Sequence, residues 1–178
     1  MSEYNGYTNW ETWEVHNHLD SDMLAEWAQG ALETAIEDEA DAENAREVSI
    51  AAVAGCIEEF INDNAPETEG MYSSLMWQAL GQVDYSCIAE GYVNDIPLYV
   101  AGYNMPGYMP DADPALFLEH ALAVEYIAEA IRNVGENADN EEKAAEAEKL
   151  ADEIDANAKE EDDLHANFDG YVYWLRHA

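Results

Sequence analysis

Apolar residues recur at helical spacing through most of the first ninety-five positions. Trp10, Trp13, Leu19, Met23, Leu24 and Trp27 form the first series. Thr8 is expected to open it as an N-cap, with Glu11 three residues on completing a capping box. Asp20-Ser21-Asp22 interrupts the series and should restart the helix with a new cap. Residues 31–45 are rich in Ala, Glu and Asp, which favours helix but offers few large apolar side chains. Val48, Ala52, Val53, Cys56, Ile57, Phe60 and Ile61 then predict a second amphipathic helix. It should end before Pro66, because the residue ahead of a proline avoids the α region. Tyr72 to Val83 reads as a third helix with Leu75, Met76, Ala79 and Leu80 inward, and Asp84 caps a fourth through Ile88, Ala89 and Tyr92. Residues 1–95 are therefore expected to form a helical domain.

The pattern changes at Pro97. Residues 98–103 are β-prone, and a turn-rich loop follows through Pro110. A helix is expected from about Pro114, with Leu118, Leu122, Val124, Tyr126, Ile127 and Ile131 inward and Gly135 at its C-terminus. Asn140 should cap another helix, Glu141 to about Asp155, with a thin stripe of Ala144, Ala147, Leu150, Ala151 and Ile154. Residues 170–175 are again β-prone. The fold class expected is mainly α, α+β: a helical unit, then a small β-α-α-β domain over 96–178 whose two strands pair antiparallel and whose helices are acidic. Two strands and two helices make a marginal core, so this half is expected to dock on the first or to form a homodimer.

Charge narrows the functions open to such a fold. Six basic residues stand against 40 acidic ones, a formal charge of -34, yet 48% of residues are apolar and there are 5 Trp and 11 Tyr. A disordered acidic chain would be poor in aromatics. Three Lys and three Arg do not build a phosphate-binding patch or a contact with anionic lipid, so direct nucleic-acid or membrane binding is not expected. No apolar run is long enough for a membrane span, and Met1-Ser2-Glu3-Tyr4 does not start like a signal peptide. Cys56 and Cys87 make neither a disulfide framework nor a metal pattern. A cytoplasmic protein follows as the expectation. The scaling rule for folded monomers gives about 8,700 Å² of surface, or about one net charge per 250 Å². B-DNA, taken as a cylinder of about 10 Å radius, carries about one per 110 Å².

The segment Tyr4-Asn5-Gly6-Tyr7-Thr8-Asn9-Trp10-Glu11-Thr12-Trp13 resembles the N-terminal N-[WY]-E-T-W module of small proteins encoded by phages and plasmids. A later stretch of that module, L-x-x-A-L-x-x-V-[ND]-[WY]-x-x-I-A, has its counterpart in Leu75-Met76-Trp77-Gln78-Ala79-Leu80-Gly81-Gln82-Val83-Asp84-Tyr85-Ser86-Cys87-Ile88-Ala89, with Met76 at the position of the first Leu. The resemblance covers about residues 4–93. Residues 97–176 are similar to a second phage module, through Gly107-Tyr108-Met109-Pro110 with Asp113-Pro114, and Gly170-Tyr171-Val172-Tyr173-Trp174-Leu175. The resemblance implies a mobile-element accessory protein, with no activity, substrate or catalytic residue attached. His16 and His18 stand where members often carry apolar residues.

Few groups suggest chemistry. Glu14 and His18 are an i,i+4 pair without a third ligand at fixed spacing, and a packed or solvent-facing histidine pair is the plainer reading. Cys56 and Cys87 sit among apolar neighbours and read as buried thiols. Trp10, Trp13, Trp27, Tyr92 and Tyr126 read as core. No phosphate loop and no nucleophile motif occurs, so an enzyme, a cofactor and a resident metal are not expected. The acidic tracts carry most information. One holds Glu33, Glu37, Asp38, Glu39, Asp41, Glu43 and Glu47; the other holds Glu141, Glu142, Glu146, Glu148, Asp152, Glu153, Asp155, Glu160, Glu161, Asp162 and Asp163. Like charges at helical neighbours repel, and a surface kept only for solubility would mix signs. The expectation is a partner-binding role for these carboxylates as phosphate surrogates, aimed at a positively charged restriction or CRISPR complex of the host. In composition, though in no motif, this is similar to antirestriction DNA mimics. The alternative is an acidic, salt-adapted accessory protein with no such target.

Overall fold

In the computed structural model, which describes residues 4–38, 41–107, 113–137, 140–157 and 163–178, the chain divides into the units Met1–Ile96 and Pro97–Ala178. Among the described residues there are seven helices and one four-stranded antiparallel sheet, a mainly α, α+β fold.

The first unit is helical throughout: α1 (Trp10–His18), α2 (Ser21–Glu37), α3 (Ala42–Asn64), α4 (Met71–Leu80) and α5 (Tyr85–Asp95). Asp20 caps α2 by accepting from the amides of Asp22 and Met23. Asp41 caps α3 by accepting from the Asn44 amide at 2.9 Å, so the acidic stretch 31–45 is divided between two helices. Helix α2 buries Leu24, Ala28, Leu32 and Ala35, a single stripe. Helix α3, packed against α2 and α5, buries Ala45, Ser49, Val53 and Ile57. Val53 and Ile57 are buried as expected, but Ala45 and Ser49 continue their row: Val48 is 50% exposed, and Ala52, Cys56 and Phe60 face outward. The buried row has the smaller side chains at its start, which lets the α3 backbone come close to its neighbours. Cys56 is thus exposed and Cys87 half-buried, contrary to the expectation of two buried thiols. Trp10 is exposed too, while Trp13, Trp27, Tyr92 and Tyr126 are half-buried rather than core. Helix α4 buries no residue; Met71 and Tyr72 are 68% and 73% exposed, and of the four residues expected inward only Met76 and Leu80 are half-buried.

The N-cap of α1 is Asn9, not Thr8. Asn9 Oδ1 accepts from the Thr12 amide and hydroxyl, both at 2.8 Å. Thr8 is drawn away because its hydroxyl donates to Asp84 Oδ2 at 2.8 Å. The buried Thr12 hydroxyl accepts from the Asp84 amide at 2.9 Å, and Asn9 Nδ2 donates to the Gln82 carbonyl at 2.7 Å. Asp84 Oδ1 meanwhile accepts from the Cys87 amide and caps α5. The two segments that carry the phage-module resemblance therefore meet in one hydrogen-bonded latch. His16 is held beside it between the Tyr7 and Tyr92 hydroxyls, at 2.9 and 3.1 Å, and burial pushes its imidazole below the ordinary histidine range. At the far end of α5, Arg46 donates to the carbonyls of Val93 and Ile96, groups a helix end leaves unpaired.

The second unit runs β1 (Tyr99–Asn104), β2 (Ala115–Phe117), α6 (His120–Glu136), α7 (Glu141–Asn157), β3 (Leu164–Phe168) and β4 (Tyr171–His177), with strand order β2-β1-β4-β3. The expected antiparallel pair is present as β1 and β4, with Tyr103 opposite Tyr173. Two edge strands enlarge it. Pro114 leads into β2, so α6 starts only at His120, and β3 joins β4 through Asp169-Gly170. Both turn residues have positive φ, 47° and 85°, as a two-residue hairpin turn requires. Leu164, Ala166 and Phe168 alternate with polar residues, the period of a half-buried strand. Tyr99, Ala101, Phe168, Tyr173 and Leu175 share one core with Val124, Ile127 and Ile131 of α6 and Ala147, Ala151 and Ile154 of α7. Gly135 does not end α6 but sits buried against α7, where an added Cβ would stand 2.3 Å from the Ala147 Cβ.

Two stability changes follow. Gly135→Ala lowers the stability of the second unit by about 2 kcal/mol, although Ala is the better helix former by about 1 kcal/mol, because the methyl group overpacks the α6–α7 contact. Adding Ala147→Gly restores most of the loss in urea melts followed by circular dichroism. Thr12→Val keeps the side-chain shape but leaves the Asp84 amide unpaired, and it lowers the first unit's stability by about 2 kcal/mol in the same melts.

Candidate functional site

Helix α7 presents its acids as two rows. Asn140 starts the helix, its side chain accepting from the Glu142 amide at 2.9 Å, and Ala147, Ala151 and Ile154 turn inward. That leaves Glu148, Asp152 and Asp155 on the side nearer α6, at i, i+4 and i+7, and Glu142, Glu146 and Glu153 on the other. Arg132 of α6 takes the first row: it donates to Asp155 at 2.7 Å and to Asp152 at 3.1 Å and stands 3.7 Å from Glu148. The Asp155 hydrogen bond, foremost among these contacts, pushes the Arg132 guanidinium further up. Lys149 pairs with Glu153 at 3.6 Å, and Lys143 with Asp169. Arg176 lies over the Trp174 ring at 5.2 Å. Among the described residues, no Lys or Arg reaches Glu141, Glu142 or Glu146 within ion-pair distance.

In the first unit Glu33, Glu37, Asp38, Asp41 and Glu47 are all exposed. Glu33 and Glu37 follow one another at i,i+4 near the end of α2, and Asp38 is its C-cap. Glu33 accepts from Gln29 at 2.9 Å. Asp41 has a structural task as well, since its side chain caps α3. Glu160, Glu161 and Asp162 lie outside the described residues. Of the expected contact set, the structure thus brings Glu141, Glu142, Glu146, Asp152 and Glu153 onto one helix. It places Glu33, Glu37, Asp38, Asp41 and Glu47 around the ends of two others.

The electrostatics of these positions are unfavourable to folding. The first unit has 21 acids and one base, Arg46; the second has 19 acids and five bases. No helix from α2 to α7 carries a basic residue in its last turn. Instead Glu37 ends α2 and Asp155 stands in the final turn of α7, where the helix dipole disfavours negative charge by about 0.3–1 kcal/mol each. The surface of the structure is 11433 Å², larger than the scaling rule gives. The mean charge density therefore drops to about one per 340 Å², about a third of the B-DNA value. Only faces on which acids concentrate come nearer to it.

His18 is exposed and bonded to Glu14, and no group of three His, Cys, Asp or Glu side chains suited to a metal occurs among the described residues. No helix there is long and apolar enough to cross a membrane. A feature that the acidic tracts did not announce is a cavity of about 610 Å³ in the second unit, between the β1 end, the β3–β4 turn and one face of α6. Its signal was the Asp-Gly pair flanked by alternating apolar residues, which marks a hairpin. Compared with known families, curated proteins and solved structures, the chain matches none of them.

Arg132 can be tested by removal. Arg132→Gln leaves Glu148, Asp152 and Asp155 facing one another, so the second unit loses about 1–2 kcal/mol at low salt. The loss shrinks toward 1 M KCl, where charges are screened beyond about 3 Å. Thermal melts of both proteins across a KCl series measure the difference.

Proposed function

We propose that this chain is an accessory protein of a mobile element, phage or plasmid, that acts in the host cytoplasm. It inhibits a host defence nucleoprotein complex by occupying that complex's positively charged nucleic-acid channel in place of DNA. The observation that carries this reading is the placement of exposed acids where they cost stability: at helix C-termini, at i,i+4 neighbours, and, for Glu141, Glu142 and Glu146, with no Lys or Arg among the described residues within ion-pair distance. Restriction and CRISPR complexes must neutralise phosphates, so their channels are basic. On an α-helix, carboxylates at i and i+4 recur about every 6 Å along the axis, which gives a rigid ladder of charge. The row Glu142, Glu146 and Glu153, which Arg132 does not reach, is the part of α7 that meets such a channel. No bond is made or broken, and inhibition is competition for a site. Opposite fields steer the encounter, so the acids act chiefly on the association rate.

Salt adaptation would produce a similar composition and a different stability. A charge mimic folds at ordinary ionic strength, whereas a salt-adapted protein loses its folded signal below about 1 M KCl. The binding test replaces Glu142, Glu146 and Glu153 with Gln together. Stability stays within about 0.5 kcal/mol. Affinity for a cationic partner captured from host lysate falls about tenfold at low salt, through slower association, and the deficit narrows as salt rises. Equal affinity of the two proteins at every salt concentration overturns the assignment of this row.

A further inference from the structure

We propose that the cavity of the second unit is a binding site for a primary ammonium group, carried by a free aliphatic amine or by a lysine side chain. The inference stands on this unit alone and does not depend on the reading of the acidic rows. The cavity, about 610 Å³, falls in the range of small-molecule sites. One wall is a single face of α6 that contributes Tyr126, Glu129 and Asn133; the other holds Tyr103 from β1 with Asp169 and Tyr171 from the hairpin turn.

The chemistry of the lining selects the sign of the ligand. Two carboxylates enter it and no Lys or Arg does, so an anion has no partner there. The carboxylates and asparagines make it unsuited to a purely apolar guest. The Tyr103 and Tyr171 rings meet edge-on at 6.2 Å, and Tyr103 stacks on Tyr173 at 5.5 Å. Aromatic faces beside carboxylates are the arrangement that attracts an ammonium ion. Asp169 already receives the ammonium of Lys143, so Glu129 is the carboxylate left for an incoming one. A metal ion fits poorly, since no group of three suitable ligands is present among the described residues.

Behind this wall lies an uncompensated polar group. Tyr173 is fully buried, and its hydroxyl has no hydrogen-bond partner among the described residues. Leaving such a group unpaired costs about 1–3 kcal/mol. Burial, foremost, pushes the phenol up to about 12, with further contributions from Tyr103, Tyr171 and Asp169, three residues of the cavity wall. The hydroxyl therefore stays protonated; it is closed off and does not itself line the cavity, so the contacts to an ammonium group are left to Glu129 and the tyrosine rings that do.

Calorimetric titration of the full chain tests the site, at about 150 mM NaCl to screen loose counterions beyond about 8 Å. The probes are cadaverine, spermidine and Nα-acetyl-lysine methylamide. Saturable binding of one ligand per chain is expected. Glu129→Gln, an exposed change that leaves the fold intact, weakens it about tenfold. Tyr103→Leu weakens it to a similar extent, with unchanged circular dichroism as the check on folding. Glu119→Gln, at the other end of α6 and outside the cavity lining, removes the same charge and changes binding less than about twofold. Saturation by the lysine derivative but not by the free amines assigns the site to a partner's lysine, and the reverse assigns it to a free amine; either result supports the ammonium site. Equal weakening by Glu129→Gln and Glu119→Gln shows diffuse counterion attraction and overturns the proposal, as does the lack of saturable heat with all three probes.

Discussion

Self-repulsion sets the conditions under which both units fold. With 21 acids and only Arg46 as a base, the first unit has almost no ion pairing with which to join its helices. What joins them is neutral or local. Acids are placed first at helix starts, where Asp20, Asp41 and Asp84 each accept amide hydrogens and favour the dipole. Small side chains come next, since Ala28, Ala35, Ala45 and Ser49 let α2 and α3 pack closely. The one base caps the α5 terminus instead of meeting a carboxylate. The latch of Thr8, Asn9 and Thr12 on Gln82 and Asp84 belongs to the same solution: directional hydrogen bonds hold a distant segment where charge pairs do not.

The second unit faces the same constraint with more cations and uses them locally. Arg132 gathers three carboxylates of the neighbouring helix, and Lys143 ties α7 to the hairpin turn. These pairs divide the surface of α7 by function. The row beside α6 is tied to Arg132, while Glu142 and Glu146 are exposed, with no Lys or Arg among the described residues within ion-pair distance. A uniform acidic helix thereby acquires a structural side and a side open to a partner.

The cavity draws on a different physics from the acidic rows. A row attracts by field and acts at a distance that salt shortens. The cavity combines two carboxylates with tyrosine faces in a partly desolvated space, so its contacts are short-ranged and geometrically selective. In the proposed readings, one unit carries a steering surface and a recognition site of the same charge preference: exposed acids on α7, and a face of α6 with Tyr126, Glu129 and Asn133 beside the sheet.

The sequence by itself determined what depends on neighbours a few residues away. Helical spacing located the helices, Asp20, Asp84 and Asn140 marked their starts, and β-branched and aromatic runs located β1 and β4. The acidic tracts were legible for the same reason, because exposure of charged side chains on a helix needs no partner to enforce it. Tertiary structure decided whatever requires two distant segments. Val48 and Ala52 are more apolar than Ser49, yet the approach of α2 and α5 chose Ala45 and Ser49 for burial alongside Val53 and Ile57. Gly135 looked like a helix stop and proved to be the space for Ala147. Arg132 meets Glu148, Asp152 and Asp155 only because α6 and α7 pack side by side. Tyr103 and Tyr171 share a cavity because β1 and β4 pair across the whole unit. Periodicity reports which faces a segment can bury, while the partner that covers a face, or leaves it open, is set by packing between residues far apart in the chain.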